Sequence, residues 1–86
     1  MARIDMEPAE MAANMTSSDM LFGLGMMYCL GRDVPQDYVS AHKYFNLAAL
    51  QGNAEAKAHR AEIAMEMSRE QIAEALRLAR DCVSVH

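Results

Sequence analysis

An all-α protein is what this sequence predicts, and three observations carry the reading. Alanine and methionine supply much of the apolar mass, and no stretch alternates β-branched with polar residues between turn signals. Thr16, Asn53 and Ser68 stand where helix N-caps belong, and Gly31 and Gly52 stand where helices would stop. Between those marks the apolar residues recur at spacings of three and four, the period of a helix with one buried face.

Thr16 with Asp19 three residues on forms a capping box, flanked by Met15 and Met20 as a hydrophobic staple. It opens a helix over 17–30, which Gly31 ends. Pro35 introduces a second helix over 36–51, and Gly52 closes it. Asn53 caps a third over 54–66. Ser68 with Gln71 repeats the capping box, Met67 and Ile72 supply its staple, and a fourth helix follows over 69–84. A shorter fifth runs from Pro8 to Asn14, which begins on a proline and holds good helix formers. The connections are short, so neighbouring helices pack antiparallel.

Each main helix carries an apolar stripe. Leu21, Leu24, Gly25 and Tyr28 share a face of the first; Ala41, Tyr44, Phe45 and Ala48 share one of the second; Ile72, Ala75, Leu76, Ala79 and Val83 share one of the fourth. Gly25 is the informative member. A glycine inside a helix costs about 1 kcal/mol against alanine, and close approach of a neighbouring helix is the reason to keep it.

Charge and motifs exclude several function classes. The net charge is −4, from eight basic and twelve acidic residues, and the basic ones are scattered. Such a surface gives a phosphate backbone little to hold and meets anionic lipid with the wrong sign, so neither a nucleic acid nor a membrane is the expected partner. The N-terminal residues lack the apolar core of a signal peptide, which makes a cytoplasmic location the default. Cys29 and Cys82 form no CxxC pair, and free thiols are expected. His42, His59 and His86 share no ligand spacing, so surface or hydrogen-bonded histidines are expected rather than a metal site. Asp33 and Asp37 read as loop and helix-start carboxylates, and no serine or cysteine sits in a nucleophile motif. No cofactor is implied, and catalysis is not expected.

Read as one string, Leu24-Gly25, Met27-Tyr28, Gly31, Val34, Asp37, Ala41, Tyr44, Ala48-Ala49, Gly52 and Ala56 stand in the order and spacing of one repeat. The pattern resembles the Sel-one-like repeat family, helix–turn–helix relatives of the tetratricopeptide repeat with a longer loop between the two helices. The resemblance covers a full repeat over 18–53. Residues 54–67 look like a degenerate second repeat, with Ala61 as the counterpart of Gly25. The segment 68–85 resembles the helix that closes such arrays. Two positions depart from the family: the loop reads Gly31-Arg32-Asp33-Val34 where a second glycine is usual, and Tyr44 replaces a tryptophan. Aspartate tolerates positive φ better than most residues, so the turn can survive.

The resemblance implies a right-handed α/α solenoid fragment of antiparallel hairpins, with four to five helices over 16–86 and an N-terminal segment over 1–15. It also implies a protein–protein adaptor or scaffold. A helical wheel puts Asp19, Phe22, Gly23, Met26 and Leu30 opposite the Leu24–Tyr28 stripe, and a shift of one repeat adds Glu55, Ala58, Glu62 and Glu66. In α/α repeats that side lines the concave surface, apolar here at one end and acidic at the other. A protein or peptide segment with a hydrophobic anchor and basic residues would suit it. A self-assembling role, with a homodimer or larger homo-oligomer, is the alternative.

Seven of the nine methionines fall within residues 1–27. They serve either as an adaptable binding face or, through Met11 and Met15, as packing for a short helix over the exposed end of the solenoid.

Overall fold

The computed structural model describes residues 17–84, which form four helices: α1 (Ser18–Leu30), α2 (Tyr38–Leu50), α3 (Ala54–Ala64) and α4 (Arg69–Ser84). The short N-terminal helix, the Thr16 cap with its Met15 staple, and the side chain of Val83 lie outside the described residues.

Each start is set by one polar side chain. Ser17 caps α1 by accepting the Met20 N–H on its Oγ at 3.3 Å, one residue later than the Thr16 box implies. Asp37 caps α2, accepting the Val39 and Ser40 N–H groups at 3.0 and 3.2 Å and the Ser40 hydroxyl at 2.9 Å. Asn53 caps α3 through the Ala56 N–H at 2.9 Å. At α4 the box closes in both directions. Gln71 N–H donates to Ser68 Oγ at 3.0 Å, and Ser68 N–H donates to Gln71 Oε1 at 2.9 Å.

The α1–α2 loop is tied to the helix it leaves. Gly31 takes the left-handed conformation at φ 69°, and the Arg32 N–H reaches back to the Met27 carbonyl at 2.9 Å. Asp33 is also left-handed at φ 66°, so aspartate does stand in for the usual glycine. The Asp37 N–H then donates to the Tyr28 carbonyl and Gln36 Nε2 to the Cys29 carbonyl, each at 2.9 Å. These bonds bring the start of α2 against the end of α1, as an antiparallel hairpin requires.

Helix α3 stops at Ala64, short of the expected 66. Met65, Glu66 and Met67 donate to Glu62, Ile63 and Ala64, an i to i−3 pattern that winds the chain more tightly and ends the helix. The turn lets Met67 reach the core before Ser68 starts α4.

Helix α2 is the centre of the packing, in extensive contact with α1, α3 and α4. Its Ala41, Phe45 and Ala48 are fully buried, joined by Ala56 and Ile63 from α3 and Ala75 and Ala79 from α4. Burying the Phe45 ring stabilises the fold by about 1.5–3 kcal/mol. Alanines around it let three helices approach one.

On α1 the inward arc centres on Leu21, Gly25 and Cys29 rather than on Leu24 and Tyr28. Phe22, Met26 and Tyr28 pack against the core from either side, and Leu24 is not part of it. The helix is apolar nearly all round, so periodicity alone could not choose its buried face.

His42 corrects another expectation. It is 3% exposed, and among the described residues its Nδ1 has no hydrogen-bond partner. Burial, and then the positive charge of Arg60, hold the imidazole below the ordinary histidine range. Helix α2 is covered on three sides, so a residue 100° from the Ala41 line is still inside.

Two glycines of α1 give opposite predictions. A Cβ on Gly25 would meet the Phe45 ring at 2.5 Å, whereas one on Gly23 meets nothing within 4 Å. Gly23→Ala should therefore stabilise by about 0.5–1 kcal/mol through helix propensity. Gly25→Ala should lose about 1–3 kcal/mol despite the same propensity gain, and Gly25→Leu should unfold or severely loosen the protein. Thermal melts of the three variants check the register directly.

Stability should also respond to His42. The unfolded chain takes up a proton near pH 6.5, while the folded imidazole resists until lower pH. Its contribution is therefore whole above the unfolded value and declines as pH falls towards the folded one. Urea unfolding between pH 7.5 and 5.5 should show wild type losing stability and His42→Leu losing clearly less. Equal slopes would mean that His42 is not the titrating group.

Candidate partner-binding surface

Helices α1 and α3 lie side by side on α2, and aromatic side chains join them. Phe22 of α1 meets His59 of α3 with ring centroids 5.5 Å apart, and both rings rest on Phe45, at 5.7 and 5.5 Å. Offset and tilted ring pairs of this kind add about 0.5–1.5 kcal/mol each beyond area burial. Phe22 and Met26 are thus half-buried, so the apolar part of the expected surface is anchored in the core rather than standing free opposite it.

The remaining expected residues are exposed. Asp19 lies in the first turn of α1, and Glu55 in the first turn of α3, where a carboxylate meets the positive end of the helix. Leu30, at the last turn of α1, is 56% exposed. Glu62 lies 3.6 Å from His59 Nδ1 with its side chain 75% exposed. Glu66 falls in the turn after α3 rather than on a continuing helical face. Arg60, one helical step from His59, turns instead to Asn46 on α2 and donates to its side-chain oxygen.

An open depression of about 530 Å³ lies where the end of α1, the start of α2 and the end of α3 meet, lined by Cys29, Tyr38, Glu62, Ile63, Met65 and Glu66. Of the expected site residues it gathers Glu62 and Glu66 only. Cys29, Tyr38, Ile63 and Met65 were not anticipated, because the tightened turn after Ala64 that brings Met65 and Glu66 to its edge leaves no periodic trace. Burial, and then the charge of Glu62, push the Cys29 thiol above its ordinary range.

Both cysteines are free, Cys29 half-buried and Cys82 exposed on α4. Among the described residues no group of histidine, cysteine and carboxylate side chains could hold a metal ion. No described helix is long and apolar enough to cross a membrane. On the far side of the hairpin Tyr28 stacks on Tyr44 at 5.8 Å, with Lys43 Nζ 4.3 Å from the Tyr44 ring centre. Tyr44 thus fills the tryptophan position as half of an aromatic pair.

A helix–loop–helix hairpin with a glycine-to-aromatic contact, followed by further helices on its second helix, defines an α/α repeat protein. The Sel1 repeat family model matches residues 18–53, α1 through the cap of α3, so this part of the chain is similar to one Sel1 repeat. Sel1 repeats are in general protein–protein interaction modules and not typically enzymes. No curated protein and no solved structure matches the chain.

Thiol chemistry tests the geometry of the depression. With a thiol-reactive disulfide reagent near pH 8, Cys82 should react first and Cys29 roughly tenfold more slowly, because less of it is thiolate and less is exposed. Glu62→Gln should accelerate Cys29 and leave Cys82 unchanged. An unchanged Cys29 rate would remove Glu62 from its neighbourhood.

Proposed function

We propose that this protein is a non-catalytic cytoplasmic adaptor that binds a segment of another protein on the concave side formed by α1 and α3. Asp19, Phe22, Met26, Leu30, Glu55, Glu62 and Glu66 are the contacts it would offer. The observation that carries the reading is the Phe22–His59–Phe45 cluster. It gives α1 and α3 a shared, rigid apolar floor, flanked by exposed carboxylates. A pre-organised apolar centre with a charged rim is how a surface gains both affinity and specificity.

Self-association is the second reading. Leu50 and Leu76, 66% and 45% exposed on α2 and α4, favour it. Light scattering on the purified chain separates the two, because a monomeric adaptor gives the mass of one chain, 9.6 kDa.

The direct test is affinity capture followed by reconstitution with the purified partner. Leu30→Lys combined with Ala58→Arg alters exposed positions and should leave the melt unchanged while weakening the reconstituted complex by roughly tenfold or more. A partner that binds both forms equally would put the contact elsewhere and refute the assigned surface.

A further inference from the structure

We infer that the depression at the α1–α2–α3 corner holds a lysine or arginine of a partner segment, with that segment's neighbouring apolar side chain seated on Met65 and Ile63. The inference rests on the adaptor reading and names the chemistry of its partner. Three observations meet at this place. The floor is apolar: Ile63 is 6% exposed, and Tyr38 and Cys29 are half-buried beside it. Met65 stands at the edge 85% exposed, the most exposed of the large apolar side chains described. A flexible thioether so exposed can mould to an aliphatic or aromatic guest.

The third observation is the charge. Glu62 and Glu66 both line the depression, and among the described residues neither has a lysine or arginine within ion-pair distance. Arg60, two residues from Glu62, donates instead to the Asn46 side chain on α2. Among the described residues Glu62 has the His59 imidazole, which is a cation only when protonated. The negative field is felt inside the depression, since Glu62 helps to raise the Cys29 thiol. A basic group entering here meets two carboxylates at the rim while its methylene stem lies along Tyr38 and Cys29, the arrangement in which lysine and arginine bury their stems and keep their heads wet. An acidic or uncharged segment would leave both carboxylates crowded and unpaired, so the site selects against it.

A random dodecapeptide library displayed on phage and selected on the immobilised full chain tests this with no natural partner in hand. Selected clones should place lysine or arginine one to two positions from an aliphatic or aromatic residue. The leading peptide, synthesised with a fluorescent label, should bind roughly tenfold more weakly to Glu62→Gln/Glu66→Gln and to Met65→Lys, and several-fold more weakly as salt rises from about 50 to 200 mM. All three positions are exposed, so the variants should keep the wild-type melt.

Peptides that bind these variants as well as wild type, yet lose binding to Ala58→Arg, would overturn this site and leave the adaptor surface standing. Selected peptides without basic residues, or no selection above background, would overturn it outright. A chain that dimerises at micromolar concentration and becomes monomeric with Met65→Lys would show that a second copy is the occupant, which also defeats the inference.

Discussion

The fold turns on one contact, the ring of Phe45 against the bare backbone of Gly25. A Cβ at that position would stand 2.5 Å from the ring, so α1 and α2 approach as closely as they do only because the side chain is missing. Two further rings gather on Phe45. Phe22 and His59 lean on it from α1 and α3, and Ala41 and Ala48 above and below it are fully buried because they add no bulk. The other fully buried core residues are alanines, Ala56 from α3 and Ala75 and Ala79 from α4. Such a core depends on distance more than on hydrophobic volume: small residues permit the approach, and one aromatic fills the space it creates.

That arrangement explains which features were legible in the sequence. The starts of α3 and α4 were, because an Asn53 or a Ser68–Gln71 pair acts within its own turn and owes little to the tertiary fold. The Gly25 approach was legible for a different reason: a costly residue in a helix interior asks for a packing explanation, and the repeat motif set it against the neighbouring helix, though not against Phe45 in particular. The left-handed Asp33 followed from the steric tolerance of aspartate.

The unread features share a cause, which is that they depend on the environment outside a single helix. Helix α1 is apolar on most of its circumference, so the face toward α2 could be found only with α2 in place. His42 looked like an ordinary surface or hydrogen-bonded histidine, and it is buried because α2 has neighbours on three sides. The tightened end of α3 is set by Met67 reaching the core, a long-range demand that no local signal announces. The candidate site fared accordingly. Residues on regular helix, such as Leu30 and Glu62, could be assigned to an exposed face in advance. The depression that Glu62 borders could not, since Met65 and Glu66 reach it from a turn.

The size of the chain links this architecture to its proposed role. An 86-residue protein whose core is mostly alanine has little apolar area to bury, and it keeps an unsatisfied imidazole nitrogen inside. A partner that binds only the folded form adds RT ln(1 + [L]/Kd), about 2.7 kcal/mol at a hundred times Kd, which is comparable with the burial of Phe45 itself. Folding and binding are then coupled, and a substitution beneath the surface weakens a partner simply by depleting the folded state. Phe22 and Phe45 are poor probes of recognition for that reason: they hold α1 and α3 together whether or not anything docks on them. Leu30, Glu62, Met65 and Glu66 make no such contribution, because their side chains face water. Recognition in this protein is therefore to be read from the residues that the fold does not need.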